Sequence, residues 1–203
     1  MGIIEGLRYH ASLLNRMMKT RMMLRANNSV IEFPFYITHV SNLHVGSNAV
    51  INKNASFHLG KNCHLYIGSG TRISEDFYVG GEDNYIYIGK NVTIAPRVYV
   101  AECDHRFEDV ERPILGQGMV SKGAVSIDDD CWIGIGAYIL PNVKIGKHSV
   151  IGANTVVVHD IPPYTVAVGN PCRLVKKYNF ERKEWEMIKA HKQVTSSHTG
   201  TEN

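Results

Sequence analysis

The chain has no long apolar run, few cysteines and little net charge, and each shortage removes a class of protein. A helix that crosses a bilayer needs about 18 to 20 consecutive apolar residues, and the longest uncharged stretches, such as 131–143, are interrupted by Gly and Pro. No such span is expected. Arg8, His10, Asn15 and Arg16 interrupt the N-terminal segment before an apolar core of signal-peptide length accumulates, so export by that route is not expected and a cytoplasmic location is. The four cysteines Cys63, Cys103, Cys131 and Cys172 form no C-x-x-C pair, which argues for reduced thiols rather than a zinc ribbon or a redox dithiol. A net charge of +3 is too small to mark the concentrated basic face of a nucleic-acid binder, and no nucleic-acid partner is expected.

What is present is an ordinary globular composition, 44% hydrophobic and 20% charged in 203 residues, enough for one domain with short appendages. An aliphatic residue returns every six positions at Ile127, Ile133, Ile139, Ile145 and Ile151, and a small or β-branched residue or Cys stands four positions after each, at Cys131, Ala137, Val143, Ser149 and Thr155. Shorter copies precede them, at Val45/Ala49, Ile51/Ala55, Leu59/Cys63, Ile67/Thr71, Ile88/Val92 and Ile94/Val98. A period of six contains three strand repeats and keeps each anchor on one face, whereas a helix would repeat at three and four. Asp129, Pro141 and Lys147 stand two after an anchor, where a long alternating strand would be apolar, so the unit is a short strand and a bend. Gly directly after many anchors permits close backbone approach and positive φ. Stacked units of this kind make a parallel β-solenoid with an inner ladder of aliphatic side chains, each contributing roughly 1.5 to 3 kcal/mol on full burial.

Tandem Ile-Gly-x-x-(Ala/Ser/Thr/Val)-x hexads resemble the hexapeptide signature of the left-handed β-helix acyltransferases, similar to maltose and galactoside O-acetyltransferases and surface-polysaccharide acetyltransferases. The resemblance implies an all-β, left-handed parallel β-helix with three hexads per coil, a homotrimer, and acetyl-CoA as co-substrate with no metal. The expected layout is an N-terminal helical segment over 1–30, a β-helix over 31–175 with a protruding loop at 101–126, and a short C-terminal helix and tail over 176–203. Residues 178–192 read as an amphipathic helix around Trp185 and Ile188, followed by a polar tail expected to be disordered.

The breaks in the period mark candidate sites, because insertions leave a solenoid as loops. One break, at Gly80 to Asn84, is a polar turn. The longer one, after Val100, carries Glu102, Asp104, His105, Arg106, Glu108, Asp109, Glu111 and Arg112. The run from Ile94-Ala95-Pro96 to His105 resembles the segment that carries the catalytic His in maltose and galactoside acetyltransferases, which implies His105 as general base. An imidazole with a reference pKa near 6.5 suits proton removal from a hydroxyl or amine at neutral pH. Asp104, Glu108, Asp109 and Glu75 are all candidates to orient it. The resemblance also implies acceptor contacts at Asp76, where the family has Asn before Phe, and near Asp83. Asp160-Ile-Pro-Pro followed by Gly169-Asn-Pro-Cys-Arg resembles the family's β-helix end and implies Arg173 and Lys176 beside the phosphates of CoA, with Ala153 along the pantetheine arm and Trp132 as a further CoA contact. Val158-His159 replaces a Thr-Lys pair of the family and weakens one cation.

The expected function is therefore acetyl-CoA-dependent O-acetylation of a sugar or glycan acceptor, as in polysaccharide biosynthesis. N-acetylation of a nucleotide-linked amino sugar or a xenobiotic is the alternative, and a non-catalytic β-helix scaffold a further one. A metal-dependent lyase on the same fold is disfavoured, because the order of His39, His44, His58 and His64 does not resemble that family's ligand pattern. Basic residues beside Leu14, Met18 and Met22 in the N-terminal helix make it either a cap on the open coil or a peripheral membrane contact at the inner membrane face.

Overall fold

The computed structural model describes residues 3–25 and 27–188, the side chains of 3–7 excepted. A helix, α1 (Ile3–Arg25), leads into about six coils of a β-helix. The first coil is β1 (Val30–Ile31), β2 (Tyr36–Ile37) and β3 (Leu43–Val45), and the second is β4 (Val50–Ile51), β5 (Ser56–Leu59) and β6 (His64–Ile67). The third is β7 (Arg72–Ile73), β8 (Tyr78–Gly81) and β9 (Tyr85–Ile88). The fourth begins with β10 (Thr93–Ile94) and β11 (Tyr99–Ala101), leaves the wall as the hairpin β12 (Cys103–His105) and β13 (Met119–Ser121), and returns at β14 (Val125–Ile127). Then come β15 (Trp132–Ile133), β16 (Tyr138–Ile139) and β17 (Lys144–Ile145), followed by β18 (Val150–Ile151), β19 (Val156–Val157) and a bridge from Ile161 to Ile145. The chain closes with β20 (Thr165–Val168), β21 (Arg173–Asn179) and β22 (Glu184–Met187).

Strands of successive coils pair in parallel into three walls. The first wall runs β1-β4-β7-β10-β15-β18-β20, the second β2-β5-β8-β11-β16-β19 and the third β3-β6-β9-β14-β17. Anchor pairs on anchor three hexads away: Ile127 on Ile145, Ile133 on Ile151, Ile139 on Val157. Every one of these side chains is fully buried, and with Phe57, Leu65, Ile86 and their neighbours they fill one continuous core. Thr71, Ser149 and Thr155 stand at the small positions, also buried, and tie coils together; the Thr71 hydroxyl donates to the Gly89 carbonyl at 2.7 Å.

The glycines after the anchors serve only one of the two expected purposes. A Cβ at Gly68 would lie 2.4 Å from the Gly89 carbonyl carbon, and one at Gly134 2.7 Å from the Ile151 oxygen, so these positions need glycine because the next coil's backbone passes there. Positive φ falls elsewhere, at the corner residues Asn48, Asn91, Asp130 and His148 between the third and first walls, and at Asn54, Asp76, Arg97 and Asn154 between the first and second. Asn and Asp tolerate the left-handed region best of the residues with a Cβ.

The N-terminal end of the stack is covered. Met17, Thr20 and Leu24 of α1 are buried against the first coil, which makes the helix a cap. At the other end the expected C-terminal helix is absent through residue 188. β21 pairs antiparallel on β20 and β22 on β21, extending the first wall by a hairpin. The physical reason is local: the Asn179 side-chain oxygen accepts the N–H groups of Glu181 and Arg182 at 3.0 and 3.1 Å, fixing a turn where a helix would have had to continue. Tyr178, Phe180 and Trp185 then pack edge to face beside Tyr164. The last residues of the range read as helix, and the polar tail, lie outside the described residues.

Candidate functional site

The arm springs from the corner between the second and third walls. Its base is ordered: β12 and β13 pair antiparallel, with Cys103 opposite Ser121, Asp104 opposite Val120 and His105 opposite Met119. Alternation along a strand puts Cys103 and His105 on one face of this hairpin, with Met119 and Ser121 across from them. That face is turned to a cavity of about 270 Å³ against the second wall, since Cys103 and Met119 line it. His105, two residues beyond Cys103 on the same face, is exposed and is not itself among the lining residues. The cavity continues over Thr38, His58, Tyr78, Tyr99 and the strand backbone of Gly80 and Gly81, and Glu82 is the charged residue among its lining. His58, Tyr78 and Tyr99 belong to a row of stacked rings, with centroids 4.9 Å apart from His58 to Tyr78 and 4.8 Å from Tyr78 to Tyr99. Burial pushes the His58 pKa below its ordinary value, so a neutral imidazole faces the cavity with one donor and one acceptor.

The carboxylates considered as orienters of His105 are placed as follows. Asp104 is on the opposite face of the hairpin. The Glu108 carboxylate is held below the usual carboxylate range by hydrogen bonds from its own backbone N–H and from the Phe107 N–H, the latter at 3.0 Å, and it meets Lys122 at 3.8 Å. Asp109 accepts the Glu111 N–H at 3.1 Å, and Glu75 sits at the corner between the first and second walls. Among the described residues none of them is hydrogen-bonded to the imidazole. Asp83 shares the arm's corner, where it accepts from the Asn62 amide at 3.1 Å. Asp76 does not: it is a positive-φ residue of the other corner, bonded to the Asn54 amide at 2.9 Å.

Cys103, two residues before His105, is buried, and burial reinforced by Glu102 pushes it up to about 11. A thiol so far from ionisation is a poor nucleophile near neutral pH.

The residues expected to hold CoA gather on the outer face of the first wall. Trp132, 55% exposed, pairs with Val150, Val150 with Val166, and Val166 with Lys176, a row of four side chains on one face. At about 4.8 Å per strand the row runs roughly 14 Å. Arg173 and Lys176 are three apart in sequence, a spacing that puts strand residues on opposite faces. A β-bulge between their partners restores them to one: Arg173 pairs with Val168 and Lys176 with Val166. Two exposed cations on one edge of the wall fit a phosphorylated ligand, and Ala153, exposed at the corner after β18, leaves the approach open. Within one chain these residues do not meet His105, because the first wall is the side of the triangle opposite the arm's corner.

Tyr78 and Tyr99, which line the cavity, are not among the candidates that the sequence offers. The legible signal was an aromatic residue directly before an anchor, in Tyr78-Val79, Tyr99-Val100 and Tyr138-Ile139. No cluster of three or more potential metal ligands occurs among the described residues.

Residues 124–159 match the family model for the bacterial transferase hexapeptide (six repeats). The chain is 35% identical over 142 residues to the galactoside O-acetyltransferase of Escherichia coli K12, covering 70% of this chain and 66% of that one. A galactoside acetyltransferase solved in complex with coenzyme A superposes with a TM-score of 0.50 at 30% identity, over 77% of this chain and 66% of that one. AntD, an N-acyltransferase from Bacillus cereus solved with dTDP and 3-hydroxybutyryl-CoA, superposes with a TM-score of 0.60 over 76% of this chain and 79% of that one, and at 21% identity it bears on the fold alone. The chain belongs to the hexapeptide-repeat acyltransferase family. Its matches span 64%, 66% and 46% of the curated relatives from Saccharomyces cerevisiae, Escherichia coli and Mycobacterium tuberculosis.

Proposed function

We propose that this protein transfers an acetyl group from acetyl-CoA to a hydroxyl of a sugar or glycan, as a cytoplasmic homotrimer serving polysaccharide biosynthesis. The observation that carries the reading is the placement of His105 on the hairpin face turned to a cavity, on a chain of this family. Acetyl-CoA supplies an activated thioester. His105 takes the proton of the acceptor hydroxyl as its oxygen attacks the thioester carbon, and the imidazolium returns that proton to the departing thiolate. Positioned acid/base catalysis of this kind contributes about 10² to 10⁴ in rate. His58 and Asp83 offer the acceptor a neutral donor–acceptor group and a carboxylate at the arm's corner, while Asp76 lies at the other corner, where an acceptor contact would have to come from a second site on the coil. Trp132, Ala153, Arg173 and Lys176 bind CoA, the two cations at its phosphates.

Base and cations lie on different sides of one chain, so transfer between them needs a second copy. The arm supports that assembly: Val110 and Leu115 are 89% and 87% exposed, apolar surface that a neighbouring chain would cover. The outward stripe of α1 supports peripheral contact with an anionic membrane, because Leu14, Met18 and Met22 are exposed beside Arg21, Arg25 and Lys19. Sedimentation with phosphatidylglycerol vesicles, lost in Met18→Glu and absent with phosphatidylcholine, checks it; equal sedimentation of both proteins would remove the contact.

N-acylation is the second reading, favoured by the acidic Glu82, the charged residue among the described residues that line the cavity, which suits an amine. A panel of neutral sugars, amino sugars and nucleotide-linked sugars, assayed for CoA release, separates the two when the product is treated with alkaline hydroxylamine. Esters are cleaved and amides survive. Survival of every product would overturn O-acetylation.

A further inference from the structure

We propose that Glu102 is a positioning residue, whose buried carboxylate clamps both strands of the arm to the coil beneath and so fixes where His105 stands. The inference rests on the reading of His105 as the base.

Glu102 falls between β11 and β12, where the chain leaves the wall, and its side chain is fully buried. Its main chain continues the ladder on both sides: the N–H donates to the Gly80 carbonyl at 2.9 Å, and the carbonyl accepts from the Lys122 N–H at 3.0 Å. The carboxylate ties in more. One oxygen accepts the Glu82 N–H at 2.8 Å, from the corner of the coil below, and the other accepts the Ser121 hydroxyl on the returning strand. The coil, the outgoing strand and the incoming strand therefore meet on one side chain. The arm's ion pair between Lys122 and Glu108, at 3.8 Å and exposed, holds little.

A carboxylate is an unfavourable choice for a buried wall position unless both oxygens have partners. Here both do, and each partner belongs to a segment that must be held in register. The lever is long: His105 stands three residues beyond Glu102 on extended backbone, roughly 10 Å away. A rotation of about 6° at the root would carry the imidazole about 1 Å, a displacement that can cost about 100-fold in rate.

The experiment compares Glu102→Ala, Glu102→Gln, Ser121→Ala and His105→Ala with the wild type, each first confirmed to be folded. It reads amide hydrogen exchange across 103–121, which needs no acceptor, and kcat and KM for acetyl-CoA with methyl galactopyranoside as the acceptor probe. Glu102→Ala is expected to speed exchange in the hairpin at least tenfold while the coils stay protected, and to lower kcat 10- to 100-fold with KM for acetyl-CoA within about twofold. Ser121→Ala moves both readouts in the same direction by less, and it carries the test if Glu102→Ala fails to fold. Glu102→Gln retains most of the turnover, since its amide oxygen can accept from Glu82 and its NH2 can donate to the Ser121 oxygen. Unchanged exchange in both Glu102→Ala and Ser121→Ala overturns the clamp. Faster exchange with unchanged kcat overturns the positioning role. Loss of turnover in Glu102→Gln equal to that in Glu102→Ala overturns it too, because the charge and not the contacts would then matter. Full activity in His105→Ala with faster exchange in Glu102→Ala would instead sink the base and leave the clamp standing.

Discussion

Replacing Gly81 by Ala tests how tightly the wall behind the cavity is packed. A methyl group there would lie 2.3 Å from the Cys63 sulfur, well inside the ordinary contact of about 3.5 to 4.0 Å. It has no retreat, since the same methyl would be 3.4 Å from both Glu102 Oε2 and Ile86 Cδ1. Both strands are held on two sides, β8 between β5 and β11 and β9 between β6 and β14. Overpacking in such a place costs typically 1 to 3 kcal/mol, and the upper end applies here, or a fall of about 6 to 12 °C in Tm for a chain of this size. Cys63→Ala removes the obstructing sulfur, so in the double variant at least about 1 kcal/mol of that loss returns as coupling between the two sites. The assay is thermal and urea unfolding followed by circular dichroism, at one protein concentration because assembly alters apparent stability. Strictly additive losses, or a Gly81→Ala protein as stable as the wild type, would refute the reasoning.

Other consequences follow from the thiols and the cation pair. With its thiol pushed up to about 11, Cys103 is ionised in only about one molecule in 10⁴ at pH 7, so its alkylation is slow there and accelerates as pH rises toward 11. Cys103→Ala should keep its turnover within a few-fold; loss of most of it in a folded protein would contradict direct transfer and point to a covalent acyl-enzyme on this thiol. Arg173→Ala and Lys176→Ala should each raise KM for acetyl-CoA several-fold and leave kcat nearly unchanged, as losses of uniform binding do. Deleting Val175 to remove the bulge should leave KM for acetyl-CoA near that of the wild type, because Arg173 and Lys176 would then be alternate residues of a regular strand and keep one face; a several-fold rise in KM would contradict that register.

Much of the wall was legible in the sequence, because a six-residue period leaves one solution for where the aliphatic side chains go, and Ile133 does pair on Ile151 as the spacing requires. The location of the arm was legible for the same reason: a break in a regular period has to leave the stack. Three things were not. The hairpin at the C-terminus carries apolar residues at helical spacing, and only the Asn179 side chain, bonding to the backbone of the next turn, decides against the helix. The bulge that turns Arg173 and Lys176 to one face is a matter of register, invisible in residue types. Glu102 looked like one more acidic residue in a charged loop, since burial at a root and exposure at a tip leave the same letter in the chain.

The central claim is that His105 moves the proton in acetyl transfer, and turnover of His105→Ala measures it most directly. With acetyl-CoA saturating and the sugar acceptor from the panel, the account predicts that CoA release falls by about 10² to 10⁴ while acetyl-CoA binding and the unfolding transition stay as in the wild type. A folded His105→Ala protein that releases CoA at the wild-type rate would contradict it.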